Sequence, residues 1–232
     1  VGCSGLAGGR VYIEDGSSGE QITSASGSDS FGYALATDDV NGDGVGDILA
    51  TRIGTYEAFL YLGPVVTGTY NGIDDDSYSG SVGFGYDAAA PGDLDSDGYG
   101  DLLVSGGTTG NAFYFMGDSA GTALSRGSMS VGRYAQDATA GDFDGDGTLD
   151  LAIGDYTDDS YQGIVRIAMG PISGAPSFTS TVDATATDYF GCSVRAGDLD
   201  DDGIDDLVVG AYSNNDAATD AGAVYVFLGQ GL

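Results

Sequence analysis

Four nine-residue stretches of the chain carry one arrangement of oxygen donors. They are Asp39-Val-Asn41-Gly-Asp43-Gly-Val45-Gly-Asp47, Asp93-Leu-Asp95-Ser-Asp97-Gly-Tyr99-Gly-Asp101, Asp142-Phe-Asp144-Gly-Asp146-Gly-Thr148-Leu-Asp150 and Asp198-Leu-Asp200-Asp-Asp202-Gly-Ile204-Asp-Asp206. Positions 1, 3, 5 and 9 are carboxylates, with a single carboxamide at Asn41. Side chains at alternating positions of a tightly curled loop converge on one point, and the glycine at position 6 (Gly44, Gly98, Gly147, Gly203) permits the sharp turn. The backbone carbonyls of Val45, Tyr99, Thr148 and Ile204 at position 7 are natural fifth ligands, and the ninth aspartate closes the shell in bidentate fashion. Such an all-oxygen donor set suits calcium, which takes six to eight oxygens at flexible geometry. Zinc, copper and iron usually draw on His or Cys, and this chain has no histidine. Magnesium demands tighter octahedral geometry. The expectation is therefore four Ca2+ sites whose occupancy is required for local folding, because clustered acids repel without a cation. Plain Asx-rich turns are the competing reading, but turn propensity does not fix a ninth position.

The elements that must position these loops repeat with them. The first aspartates are 54, 49 and 56 residues apart. An aromatic-small pair precedes each loop: Phe31-Gly32, Phe84-Gly85, Tyr134-Ala135 and Phe190-Gly191. A short apolar run follows each: Ile48–Ala50, Leu102–Val104, Leu151–Ile153 and Leu207–Val209, too short for a helix and read as a buried strand. A third strand is expected at Ala58–Leu62, Ala112–Met116, Ile164–Ala168 and Ala223–Leu228, and a more polar fourth stretch leads into the next pair. About four strands per repeat is the blade count of a propeller.

The aromatic-Gly pair, the aspartate loop and an apolar strand ending in Gly210-Ala211-Tyr212 together resemble the FG-GAP repeat, which builds the N-terminal propeller of integrin α subunits and of many bacterial surface proteins. The third copy departs most, with Tyr134-Ala135 in place of Phe-Gly. The resemblance implies an all-β fold: a β-propeller of four-stranded blades, at least four of them, with calcium-binding loops between first and second strands. One repeat-containing unit over residues 1–232 is expected, with 1–30 the end of a preceding blade and blades at 31–83, 84–130, 131–189 and 190–232. Arg10–Asp15 resembles a third strand and Glu20–Ala25 a fourth, and the latter would also suit completion of the last blade, as in integrin-like rings. A portion of a larger ring, a self-contained ring and assembly from two chains all stay open.

Composition narrows the function. The chain has 232 residues, 42 of them glycine, which favours short strands and many turns. Its 36 acids face six bases, all arginine, for a net charge of −30. No basic patch for nucleic acid or an anionic membrane can be assembled from six scattered arginines, and no apolar stretch is long enough to insert in a membrane. A solvated acidic surface is the alternative reading of the charge. Gly117-Asp118-Ser119-Ala120-Gly121 matches the hydrolase G-x-S-x-G pattern, yet no histidine exists to activate Ser119, so a turn is expected there and no enzyme. Asp74-Asp75-Asp76 and Asp158-Asp159 read as surface acids. Tyr61, Tyr114 and Tyr225 fall in third strands, whereas Tyr70, Tyr78, Tyr156, Tyr161 and Tyr212 fall in or next to loops, where exposed rings could stack on sugars or anchor a protein. Cys3 and Cys192 could pair or stay free.

The expected function is an extracellular or cell-surface, calcium-stabilised adhesion module that recognises a protein or polymeric ligand. Extracellular calcium modules bind at about 10⁻⁴–10⁻³ M, a level cytosol does not offer. A carbohydrate-binding lectin and a structural subunit of a surface assembly, self-associating through incomplete blades, are the alternatives.

Overall fold

The computed structural model describes residues 2–3, 9–14, 21–25, 30–64, 76–80, 83–106, 110–121, 124–131, 137–183, 188–215 and 221–232. Tyr134-Ala135, Tyr70 and Asp74-Asp75 lie outside these. The described residues form antiparallel sheets in chain order. The first holds β1 (Gly2–Cys3), β2 (Arg10–Glu14) and β3 (Gln21–Ala25). The second holds β4 (Phe31–Asp38), β5 (Asp47–Arg52), β6 (Glu57–Tyr61) and β7 (Asp76–Ser79). The third holds β8 (Ala88–Gly92), β9 (Asp101–Ser105), β10 (Asn111–Met116) and β11 (Ser125–Ser130). The fourth holds β12 (Asp137–Gly141), β13 (Asp150–Asp155), β14 (Ile164–Ala168) and β15 (Ser180–Asp183), and the fifth β16 (Phe190–Gly197), β17 (Asp206–Ala211) and β18 (Ala223–Phe227). A single helical turn, α1 (Asp158–Tyr161), interrupts the fourth. No described helix is long and apolar enough to cross a membrane.

This is an all-β fold of blade-like sheets, each a meander whose neighbours in sequence are neighbours in space. The short apolar runs become the second strands for a clear reason: β9 and β13 are buried at every position, since a sheet packs against each of their faces. Successive first strands β4, β8, β12 and β16 pack against one another. Cores then form between sheets rather than within them. Phe31, Ala50 and Val11 join the first and second sheets. Leu49, Leu60, Phe84, Leu102 and Phe115 join the second and third. Leu103, Met129, Leu151 and Ile153 join the third and fourth, and Ala152, Ile167, Phe190, Leu207 and Val209 the fourth and fifth. Each fully buried leucine or phenylalanine contributes about 1.5–3 kcal/mol.

Phe31-Gly32 and Phe190-Gly191 open β4 and β16, whereas Phe84-Gly85 lies in a turn ahead of β8, which is short and irregular around Pro91. β3 pairs with β2, Arg10 opposite Ala25 through Glu14 opposite Gln21, as a fourth strand after a third would, and of the two readings of this segment it is not the one that completes the sheet of β18. A hairpin closes a far shorter loop than a pairing between the two ends of the chain, and entropy favours it.

Candidate metal centre

All four aspartate loops lie between a first and a second strand, and their internal geometry is the same. At position 1, Asp39, Asp93, Asp142 and Asp198 accept a hydrogen bond on Oδ1 from the position-5 N–H (3.0–3.2 Å). On Oδ2 they accept another from the glycine N–H at position 6 (2.8–2.9 Å). At position 5, Asp43, Asp97, Asp146 and Asp202 accept on Oδ1 from the N–H of Val45, Tyr99, Thr148 and Ile204 (2.8–3.0 Å). These bonds curl the chain through Gly44, Gly98, Gly147 and Gly203, whose φ values are 84–95°. A Cβ there would meet nothing, so glycine is needed for its left-handed backbone and not for space.

The ninth aspartate has a job that spacing alone did not reveal. Asp47, Asp101, Asp150 and Asp206 are all buried at the start of the second strand. Each accepts on Oδ2 from the position-2 N–H, of Val40, Leu94, Phe143 and Leu199 (2.7–2.9 Å). Each accepts on Oδ1 from Gly63, Gly117, Gly170 or Gly229, just beyond the third strand (2.7–3.1 Å). It therefore clamps the loop entrance to the chain leaving the third strand, which returns to the same end of the sheet. The signal for this role was a glycine following each third strand.

In three of the four loops, three of the four spaced carboxylates come together, leaving out Asp97, Asp150 and Asp202. One oxygen each from Asp93, Asp95 and Asp101 lie within 4.8 Å of one another, as do oxygens of Asp142, Asp144 and Asp146 and of Asp198, Asp200 and Asp206. In the first loop the Asn41 carboxamide is turned onto Asp43, accepting from its N–H at 3.0 Å and donating to its Oδ2 at 3.3 Å. Like charges this close repel by about 1–4 kcal/mol per pair, according to how much water intervenes. Burial, and then the charges of Asp97 and Asp93, push the Asp95 carboxyl up. Burial pushes Asp101 up to about 6, against the hydrogen bonds from Gly117 and Leu94 that hold it down. Burial likewise raises Asp47 and Asp150. Asp198 is lowered, chiefly by the Gly203 N–H, and Asp146 by Thr148. Asp95 Oδ1 is buried and has no hydrogen-bond partner. An orphaned carboxylate oxygen inside a cluster of acids fits a hard cation, and the donor set contains no soft ligand.

Elsewhere, Ser119 sits in a turn that Asp118 closes, its Oδ1 accepting from the N–H of Ala120 and of Gly121. Cys192 is a free thiol that donates to the Gly210 carbonyl at 3.3 Å. Tyr61 is buried in its third strand, while Tyr161 and Tyr212 are exposed.

Comparison with known proteins accords with this architecture. Residues 93–153 match the FG-GAP-like repeat model and residues 190–227 the FG-GAP repeat model. The chain is 31% identical over 213 residues to integrin alpha-5 of Xenopus laevis, an alignment covering 78% of this chain and 20% of that protein. It is 39% identical over 93 residues to integrin alpha-PS2 of Drosophila melanogaster, covering 38% of this chain and 6% of that one. It thus spans a fifth or less of the length of these relatives. Two separate repeat matches, the first spanning two aspartate loops and the second one, together with the integrin alpha relatives, make this chain an integrin-like FG-GAP repeat protein.

Proposed function

We propose that the chain is an extracellular, calcium-stabilised adhesion module, and that it binds rather than catalyses. The observation that carries this is the identical curl of all four aspartate loops, with an orphaned carboxylate oxygen in the second. On this reading Ca2+ is held by Asp39, Asn41, Asp43, Val45 and Asp47, by Asp93, Asp95, Asp97, Tyr99 and Asp101, by Asp142, Asp144, Asp146, Thr148 and Asp150, and by Asp198, Asp200, Asp202, Ile204 and Asp206. The metal neutralises acids that otherwise repel, and so holds the loop end of each sheet closed. Binding falls to the opposite end, where exposed tyrosines gather. The likeness to integrin α subunits supports a surface location and a protein or polymeric ligand. The test is a thermal melt after chelation, with calcium or magnesium restored at millimolar concentration. A calcium-specific rise in midpoint is expected; no rise in a sample shown to be metal-free would overturn the proposal.

A further inference from the structure

Around Tyr189 the aromatic packing differs from that of the cores. Core ring pairs meet nearly edge-on: Phe31 with Tyr61 at 89°, Phe84 with Phe113 at 73°, and Phe190 with Phe227 at 87°. Tyr189 instead meets three other tyrosines at smaller angles, stacked on Tyr156 and tilted against Tyr161 and Tyr212. The angles are 25° to Tyr156, 31° to Tyr161 and 36° to Tyr212, at centroid distances of 5.6, 5.1 and 4.8 Å. Tyr161 and Tyr212 remain 46% and 57% exposed, so part of each stays open to solvent.

The backbone holds this arrangement against its own preferences. Tyr161 and Tyr189 have φ values of 72° and 58°, in a region that bulky residues avoid. Two bonds between the fourth and fifth sheets lock it, from the Tyr189 N–H to the Tyr161 carbonyl at 3.0 Å and from Phe190 to Gln162 at 3.1 Å. The neighbouring carboxylates are already engaged. Asp158 pairs with Arg166 at 2.7 Å, Asp188 accepts from Asn214 at 2.6 Å, and Asp155 accepts from the Thr157 hydroxyl at 2.7 Å. Tyr161 and Tyr212 thus offer exposed ring surface on a base that these bonds hold in place. A second exposed pair, Tyr33 and Tyr86, lies at the same end of the second and third sheets, edge to face at 69°, 5.6 Å apart and 43% and 49% exposed.

We propose that the tyrosine shelf of residues 156, 161, 189 and 212 binds a neutral polysaccharide, whose sugar rings lie on the faces of Tyr161 and Tyr212. The proposal rests on the reading of the chain as a binding module and supplies its ligand class. A pyranose ring presents a flat face of C–H bonds to the negative face of an aromatic ring, while its hydroxyls reach the phenolic groups at the edge. Tyr161 and Tyr212 both pack on Tyr189 and each keeps about half of its surface open, which leaves aromatic surface on which a sugar ring can lie. The net charge of −30 repels uronate-rich and sulfated glycans. An open shelf with a second tyrosine pair at the same end suits an extended polymer, which can engage both.

The experiment is affinity electrophoresis of the calcium-loaded protein through gels containing a soluble β-glucan, mannan, galactan or glycol chitin. Alginate and an arginine-rich peptide serve as contrasts. Retardation by at least one neutral polymer is expected, about tenfold weaker in Tyr212→Ala and in Tyr161→Ala. No retardation by any neutral polymer, retardation unchanged in both variants, or preference for alginate or the peptide would each overturn it. The calcium melt of the same samples reports on the module reading independently, and because both side chains are exposed, the variants should melt like the parent.

Discussion

The backbone N–H of Gly100, in the second aspartate loop, donates a 2.8 Å hydrogen bond to the carbonyl of Asp39, in the first. Asp118 beyond β10 reaches the Val40 carbonyl at 3.1 Å, Ile172 reaches that of Leu94 at 2.6 Å, and Asp205 reaches that of Asp142 at 2.9 Å. The loop ends of neighbouring sheets are thereby tied into one row. Ordering one loop presents acceptors in place for the next, so calcium binding at neighbouring loops should be coupled. Asp93→Ala should weaken calcium binding at the first loop, read from the amide resonance of Gly44, whereas Asp198→Ala should leave it unchanged. Equal insensitivity to both would show the loops to be independent.

The first loop should be the weakest of the four, because Asn41 supplies a neutral oxygen where the others supply a carboxylate. In Asn41→Asp the Gly44 resonance should titrate at lower calcium than in the parent. The same variant without calcium should be less stable, since it adds a charge to Asp39 and Asp43. Opposite signs in the two conditions are the signature of a ligand position.

Asp101→Asn separates clamping from ligation when measured in chelator. The amide group keeps the shape but offers one acceptor where the N–H groups of Leu94 and Gly117 need two. Leaving one buried donor unpaired costs about 1–3 kcal/mol, which a urea titration at fixed EDTA should resolve. An unchanged midpoint would mean that the ninth aspartate acts only through metal.

Asp87 gives the molecule a pH dependence of predictable sign. With Asp137 it lines a cavity of about 20 Å³ between the third and fourth sheets. Burial, and then the charge of Asp137, push its carboxyl up from 3.8 to about 7, with Arg195 and the Ala88 N–H opposing. The folded state therefore holds the proton more tightly than the unfolded chain, and stability from this group falls as pH rises between those two values. The slope is on the order of 1.4 kcal/mol per pH unit. Asp87→Asn should gain on the parent between pH 5 and pH 8 in urea unfolding at saturating calcium. A constant difference would show that Asp87 titrates normally.

Arg166 joins two sheets, donating to the Val131 carbonyl at 2.9 Å and to Asp158 at 2.7 Å. Arg166→Met keeps most of the stem and removes both bonds, at a cost of about 1–2 kcal/mol after allowance for partial exposure. A drop in thermal midpoint of several degrees is expected; none would assign the ion pair to the freely solvated surface.

What the sequence determined by itself was the local pattern of loops and strands. The positions of the aspartate loops and second strands were legible because a nine-residue curl and a five-residue buried strand carry their requirements in consecutive residues. Gly98 is needed for its own φ, and Leu102 and Val104 for their own burial. Only the tertiary structure decided what joins distant segments. The second bond of each ninth aspartate runs to a glycine beyond the third strand, and the Gly100–Asp39 bond runs between sheets. Tyr189 was not singled out at all, while Tyr156, Tyr161 and Tyr212 were visible only as tyrosines near loops. What stacks them is the packing of the fourth sheet on the fifth, and side-chain packing across sheets leaves no periodic trace in the chain.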